Sequence, residues 1–124
     1  MIGAHRVQLQ QVLLNLVLNG CDAMRDVSGL RNLTVTSGRD GNGDVLVRVR
    51  DRGHGIVGED VDRIFEPFFT SKREGLGLGL AISRRIAAAH GGRLWATNNG
   101  AESGATLHLA VPSAPSAGPR SGPW

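Results

Sequence analysis

Aromatic residues and cysteine are scarce in this chain of 124 residues: tyrosine is absent, aromatic residues make up 4%, and there is one cysteine. Because proteins bind single-stranded nucleic acids largely by stacking bases on aromatic side chains, we expect no nucleic-acid partner. One cysteine excludes an internal disulfide framework and a zinc site built from several cysteines. An apolar run of the ~18 residues that would span a bilayer is lacking, as is a signal-peptide pattern. The sequence therefore predicts a cytoplasmic domain without membrane contact of its own.

Charge gives a weak signal, since 14 Lys and Arg stand against 11 Asp and Glu, a formal net charge of +3. The charges are mixed along the chain, and a mild positive balance suits a nucleic acid, a polyphosphate ligand or, as the simplest interpretation, an ordinary solvated surface. The length is that of one domain, which we place at residues 1–112. Residues 113–124 are rich in proline, serine and glycine and are predicted to form a flexible tail.

Hydrophobic periodicity predicts two helices and two pairs of strands. The helices are expected over residues 7–24 and 80–90, the second ended by Gly91-Gly92 in a left-handed conformation. The strands are expected over 33–37, 44–50, 93–97 and 105–111. This order predicts a two-layer α/β (α+β) sandwich, in which a mostly antiparallel sheet packs on the helices.

The first predicted helix carries a polar stripe on an otherwise apolar surface. The stripe consists of Asn15, Asn19 and Asp22. Leu14 and Leu18 widen the apolar surface, which predicts a largely buried helix with Cys21 in the core. Asparagine amides are costly to bury without partners. Asn19 could offer its oxygen to magnesium, which takes few protein ligands. Helix capping or hydrogen bonds between helices are the alternative for Asn15 and Asn19.

A carboxylate follows directly on the second predicted strand, in Asp51-Arg52-Gly53-His54-Gly55. An ionised carboxylate only accepts hydrogen bonds, so Asp51 suits an exocyclic amino group such as that of adenine. Gly53 and Gly55 would let a planar base approach the backbone. A glycine turn with a solvated carboxylate is the alternative. Gly53, Gly55 and Gly58 also match the dinucleotide fingerprint, but Pro67 leaves no room for the helix which that fingerprint must open.

Three alternating glycines precede the second predicted helix, in Gly75-Leu76-Gly77-Leu78-Gly79-Leu80. At a helix start, unpaired backbone N–H groups and the helix dipole together bind anions. This loop is therefore a candidate for a phosphate chain, to which Lys72 would add a positive charge, and a flexible hinge is the alternative. The Gly-Lys-Ser/Thr of a Walker loop does not occur in the sequence.

The four histidines lack the spacing of metal ligands and are interpreted as structural. They are His5, His54, His90 and His108. His90 is expected to face the carbonyl groups at the end of its helix.

Taken together, these segments resemble the ATP-binding catalytic domain of bacterial two-component sensor histidine kinases. Residues 7–24 resemble the N box of that family, 51–56 its first glycine box, 64–72 its F box and 75–80 its second glycine box. The resemblance covers residues 6–112 and implies the Bergerat ATP-binding fold of the GHKL superfamily, which DNA gyrase B, MutL and heat-shock chaperone ATPases share.

The resemblance implies binding of ATP with Mg²⁺, in which Asn19 ligates the metal and Asp51 recognises the adenine amino group. Ile56 and Leu80 would wall the base pocket, and two phenylalanines would anchor a lid over the nucleotide. The ATP-binding set implied in this way is Asn15, Asn19, Asp22, Asp51, Gly53, Gly55, Ile56, Phe65, Phe68, Lys72, Gly75, Leu76, Gly77, Leu78, Gly79 and Leu80. Some relatives carry Lys or Arg where this chain has Asp22, so Arg25 or Lys72 would have to supply the positive charge.

The activity that the resemblance implies is transfer of the γ-phosphoryl group to a histidine on a phosphoacceptor and dimerisation domain, and from there to a response regulator. That domain is expected to be missing here, with residues 1–5 preceding the first helix and the family's first strand cut short. We therefore expect a monomer that does not phosphorylate itself alone. A serine kinase of the anti-sigma type and a non-catalytic nucleotide-binding module are the alternatives.

Overall fold

A computed structural model describes residues 2–25, 32–69, 79–100 and 103–112, with side chains from Val7 onward. Its elements are helix α1 (Ile2–Ala23), strands β1 (Thr34–Arg39) and β2 (Val45–Arg50), helix α2 (Gly79–Ala89), and strands β3 (Arg93–Asn98) and β4 (Ala105–Val111). Two 3-10 turns, Gly58–Asp60 and Arg63–Phe65, lie between β2 and α2. The predicted order of elements and the two-layer sandwich are confirmed.

The four strands form one sheet in the order β1-β2-β4-β3, and each neighbouring pair is antiparallel. The register places Val49 of β2 opposite Leu107 of β4, and Ala96 of β3 beside the same leucine. These side chains alternate with polar ones, so one sheet face is apolar and receives the helices. The buried core cluster consists of Val12, Leu16, Val49, Phe65, Ala87, Leu94, Ala96, Leu107, Leu109 and Val111.

The outer side of α1 departs from the prediction. Leu14 and Leu18 are 56% and 52% exposed, and Cys21 is exposed as well. The expectations of a largely buried helix and of a core cysteine are therefore wrong. The physical reason is that α1 meets the sheet and α2 with one side only, through residues such as Val12 and Leu16.

Two element boundaries also differ. Helix α1 already includes residues 2–5, which were expected to precede it. Strand β1 continues to Arg39, because its ladder with β2 extends through the pair Arg39 and Val45. The turn that follows is held by Asp40, whose Oδ1 accepts hydrogen bonds from the N–H groups of Asn42 at 2.8 Å and Asp44 at 3.0 Å.

Helix α2 ends as the glycine pair predicts. Gly91 has a φ of +77°, its N–H donates to Ala88 O at 3.0 Å, and the N–H of Gly92 donates to Ala87 O at 2.8 Å. This is the Schellman arrangement, which satisfies the last carbonyl groups of a helix. The predicted tail, 113–124, lies outside the described residues. In the part of the chain that the structure describes, neither helix combines the length and apolarity needed to cross a bilayer.

Candidate functional site

Asp51 lies directly after β2 and is 3% exposed. Its Oδ1 accepts hydrogen bonds from the N–H groups of Gly53 at 2.8 Å and Ala105 at 3.2 Å. Its own N–H donates to Ala105 O at 3.0 Å. The sheet and the following turn therefore fix the carboxylate, and the alternative of a solvated turn residue is excluded by its burial.

The second carboxylate oxygen of Asp51, Oδ2, accepts no hydrogen bond from the residues that the structure describes. It lies beside α1, since a Cβ built on Gly20 would stand 3.9 Å from it. Buried acceptors nearly always have a donor, and leaving one unsatisfied costs about 1–3 kcal/mol. An oxygen in this state is suited to a ligand that brings a donor of its own.

The turn after Asp51 needs its two glycines for different reasons. A Cβ on Gly53 would collide with the backbone of Ala23 at the end of α1. Gly55 has a φ of +81°, a conformation that other residues rarely adopt. Both glycines thus have a structural role in this turn, and the approach of a base to their backbone stays a prediction.

Two adjacent asparagines at the end of β3 hold this turn, and the sequence analysis missed both. Asn98 Oδ1 accepts from Ile56 N–H at 2.8 Å, and Asn98 Nδ2 donates to Ile56 O at 2.7 Å. Asn99 Nδ2 donates to Asp51 O at 2.9 Å, while its Oδ1 accepts from the hydroxyl of Thr106 at 2.7 Å. The signal that the sequence offered was the pair of adjacent asparagines at the end of a predicted strand.

The polar stripe of α1 divides into residues with different surroundings. Asn15 Nδ2 donates to Ser83 Oγ at 3.0 Å and to Gly79 O at 3.4 Å, so it joins α1 to α2, as the structural alternative proposed. Asp22 pairs with Arg25 at 3.4 Å. Asn19 is half-buried, and its amide makes no hydrogen bond within the described ranges. Asn19 is therefore the member of the stripe available to a ligand.

The two phenylalanines expected to anchor a lid differ sharply. Phe65 is buried in the core, with the Arg84 guanidinium 4.6 Å from its ring centre. Phe68 is 71% exposed, has a φ of +67° and does not belong to the core cluster of the described residues. Ile56 and Leu80 both pack at the margin of the core. The positions are consistent with the expected roles of Phe65, Ile56 and Leu80, and contact of any of the four with a nucleotide stays a prediction.

The second glycine loop is described only at its end. The positions Lys72, Gly75, Leu76, Gly77 and Leu78 lie outside the described residues. Gly79 and Leu80 open α2, as expected for the end of a phosphate loop at a helix start.

The described histidines occupy structural positions. His90 Nε2 lies 2.9 Å from Gln8 Oε1 on α1, so the ring contacts the neighbouring helix. His54 is exposed. His108 lies on the sheet face opposite the helices, where burial and the nearby Arg48 lower its pKa. Within the ranges that the structure covers, no three His, Cys, Asp or Glu residues cluster as metal ligands.

Comparison with known proteins agrees with this geometry. The family model described as histidine kinase-, DNA gyrase B- and HSP90-like ATPase matches residues 4–115. Sensor protein FixL of Bradyrhizobium diazoefficiens is 45% identical over 111 residues, which cover 90% of this chain and 22% of FixL. Sensor histidine kinase ZraS of Escherichia coli K12 is 44% identical over 105 residues, 84% of this chain and 22% of ZraS.

Solved structures show the same fold. The nucleotide-free catalytic domain of histidine kinase ThkA has a TM-score of 0.74 at 37% identity, covering 89% of this chain and 70% of that one. Full-length ShkA in complex with AMPPNP has a TM-score of 0.71 at 31% identity, covering 85% of this chain and 21% of ShkA. The chain thus spans 22% of the length of the two sensor proteins.

Proposed function

Because this chain belongs to the family of histidine kinase-, DNA gyrase B- and HSP90-like ATPases, we propose that it is the ATP-binding catalytic domain of a sensor histidine kinase. It would bind ATP with magnesium and give the γ-phosphoryl group to a histidine on a separate phosphoacceptor and dimerisation domain. The observation that carries the nucleotide part is the buried Asp51, one of whose carboxylate oxygens accepts no hydrogen bond from the described residues.

Asp51 is suited to adenine because an ionised carboxylate accepts hydrogen bonds and donates none. The 6-amino group of adenine would donate to Oδ2, the oxygen left over by Gly53 and Ala105. Guanine presents a carbonyl oxygen at that position, which a buried carboxylate repels. The site should therefore prefer adenine nucleotides.

The amide oxygen of Asn19 fits the way in which magnesium is usually coordinated when it is bound together with a nucleotide. Magnesium takes one or two protein ligands and completes its shell with water and phosphate oxygens. Asn19 offers an amide oxygen that makes no hydrogen bond to the described residues, and it would be the protein ligand of the metal. When bound, magnesium would neutralise part of the phosphate charge.

Phosphoryl transfer in such a system depends on positioning and electrostatics, with little covalent chemistry from the domain. The chain would orient ATP, and the histidine that receives the phosphoryl group would come from the phosphoacceptor domain. A response regulator would then take the group from that histidine. This assignment rests on the family and on its sensor-kinase relatives.

We expect Asp51→Asn to weaken ADP binding about 5- to 150-fold, from a cost of about 1–3 kcal/mol for a mispaired buried group. The N–H groups of Gly53 and Ala105 require an oxygen at Oδ1, so the new amide must turn its NH₂ toward the adenine amino group. Titration calorimetry measures the affinity. The control is Asp62→Asn, an exposed carboxylate whose side chain makes no capping bond. Equal affinities for Asp51→Asn and the parent would remove the adenine assignment.

Transfer is tested by mixing the chain with magnesium, radiolabelled ATP and the phosphoacceptor domain of its own kinase. Acid-labile label on histidine supports the histidine kinase. Acid-stable label on serine would indicate the anti-sigma type of serine kinase instead. Absence of label while ATP binds would leave a non-catalytic nucleotide-binding module.

A further inference from the structure

The turn between Asp51 and Ile56 is tied to the β3–β4 connection at both ends. At its start, Asp51 pairs with Ala105 through the backbone, and the Asn99 amide binds Asp51 O. At its end, the Asn98 amide binds both the N–H and the C=O of Ile56. The two ends are thus held by different groups.

The bonds to Asn98 have the geometry of a backbone pair. Distances of 2.8 and 2.7 Å lie in the range of good hydrogen bonds. One side-chain amide therefore substitutes for a neighbouring strand at a residue that the sheet does not reach. No other described residue bonds to the backbone of Ile56. Among the described residues, Asn98 thus supplies the hydrogen bonds that hold the backbone at this end of the turn.

Gly55, next to Ile56, lies close to the Asn98 amide. A Cβ at Gly55 would stand 3.0 Å from Asn98 Oδ1, and the residue has a φ of +81°. A glycine at this point lets the turn pass close to the asparagine and present Ile56 to it. The side chain of Ile56 packs at the margin of the core, beside the same cluster that Leu80 joins.

We propose that Asn98 is a positioning residue for nucleotide binding, which holds Ile56 in place as one wall of the adenine pocket. The inference rests on the proposed function, because it concerns the same pocket. Without Asn98 this end of the turn would have to be ordered by the ligand itself, and ordering a segment on binding lowers affinity. Asp51 keeps its bonds to Gly53 and Ala105, so the choice of base is retained.

The test compares Asn98→Ala, which loses both bonds, with Asn98→Asp, which keeps the acceptor for Ile56 N–H and faces Ile56 O with a second oxygen. The control is Asn42→Ala, which removes an exposed amide from the turn between β1 and β2. Titration calorimetry gives the affinities for ADP and GDP at a temperature where each variant is folded. Hydrogen exchange gives the protection of the Ile56 amide in each protein without nucleotide.

We expect Asn98→Ala to bind ADP about tenfold more weakly, as the loss of two hydrogen bonds would give. GDP should weaken by the same factor, so the preference for ADP over GDP is unchanged. Hydrogen exchange at the Ile56 amide should be faster in Asn98→Ala than in the parent. In Asn98→Asp it should be slower than in Asn98→Ala. The affinity of Asn42→Ala should equal that of the parent. A merely structural role would lower the melting temperature and leave both affinities unchanged.

An unchanged ADP affinity in Asn98→Ala overturns the inference and leaves the proposed function standing. Loss of the preference for ADP would also overturn it, because the substitution would then have disturbed Asp51. If the parent binds no ADP, the proposed function fails and the inference fails with it. The parent titration therefore separates the two failures.

Discussion

At the scale of single residues, Asn15 and Asn19 lie one helical turn apart on α1 and have different hydrogen-bond surroundings. Asn15 is satisfied by Ser83 and so ties the helices together. Asn19 has no hydrogen bond to the described residues, although alanine would be the better helix former. Because Asn19 contributes neither helix propensity nor a hydrogen bond to the described residues, a role in ligand binding stays a prediction for it.

We therefore expect Asn19→Ala to remove the gain in ADP affinity that magnesium gives, while the fold stays intact. The comparison is a calorimetric titration of each protein with magnesium and with a chelator. Gln11→Ala is the matched control, since it deletes an exposed amide from the same helix. If Asn19→Ala keeps the parent's gain from magnesium, the metal has another ligand and Asn19 is structural.

His108 is a partly buried residue on the sheet face opposite the helices, and its surroundings shift its pKa. Its Nδ1 accepts from Arg48 Nε–H at 3.3 Å, so the ring proton lies on Nε2, which donates to Thr97 Oγ1 at 2.8 Å. The ring also stacks on Trp95 with 5.0 Å between centres. Burial, and then the charge of Arg48, lower the pKa of His108 below its usual value of 6.5.

The sign of the resulting pH dependence follows from that direction. Near and below about pH 6.5 the unfolded chain takes up a proton that the folded protein resists, so the free energy of unfolding falls as pH falls. We expect the free energy of unfolding of His108→Gln to fall less between pH 7.5 and 5.5 than that of the parent, as measured by urea unfolding. His54→Gln, at an exposed histidine, should keep the slope of the parent. A slope unchanged by His108→Gln would contradict this account.

At the scale of elements, the end of α2 depends on one backbone conformation. Gly91→Ala should lower the free energy of unfolding by about 1–2 kcal/mol, the cost of a left-handed conformation for a residue with a Cβ. The nearest atom to that Cβ would be Pro112 Cγ at 3.6 Å, an ordinary contact, so the loss reports the conformation and not a clash. Gly41→Ala is the control, because Gly41 lies in open space without a positive φ, and thermal unfolding distinguishes the two.

The sequence predicted those elements whose own pattern determines them. Strand β4 has the predicted bounds, and six of its seven residues are buried. Strand β1 is exposed throughout, so the residue at which it ends is determined by pairing with β2. The sequence of β1 has no hydrophobic pattern that would indicate this end. The bonds of Asn98 to Ile56 join residues 42 positions apart, and no local pattern encodes them. Asp51 could be predicted as a candidate site residue because the strand before it and the glycines after it, Gly53 and Gly55, are neighbours along the chain.

At the scale of the whole molecule, one sheet face and two helices share a single thin core. Periodicity identified α1 as apolar on several sides but could not tell which side faces the sheet. That choice depends on the other elements, which cover Leu16 and leave Leu14 outside. The surroundings of Asp51 follow from the same arrangement, since Gly20 lies beside this carboxylate only when this side of α1 faces inward.

Leu16 and Leu14 therefore form a matched pair for testing the packing of the whole domain. Leu16 is 0% exposed, and Leu16→Ala should lower the free energy of unfolding by about 2–5 kcal/mol, as for buried leucines in general. Leu14 is 56% exposed, and Leu14→Ala should change it by no more than about 0.5 kcal/mol. Urea unfolding followed by circular dichroism measures both. Because the substitution and the helix are the same, intrinsic helix propensity cancels between the two variants. A loss for Leu14→Ala as large as for Leu16→Ala would mean that the outer side of α1 is covered, and the orientation of the helix on the sheet would have to be revised.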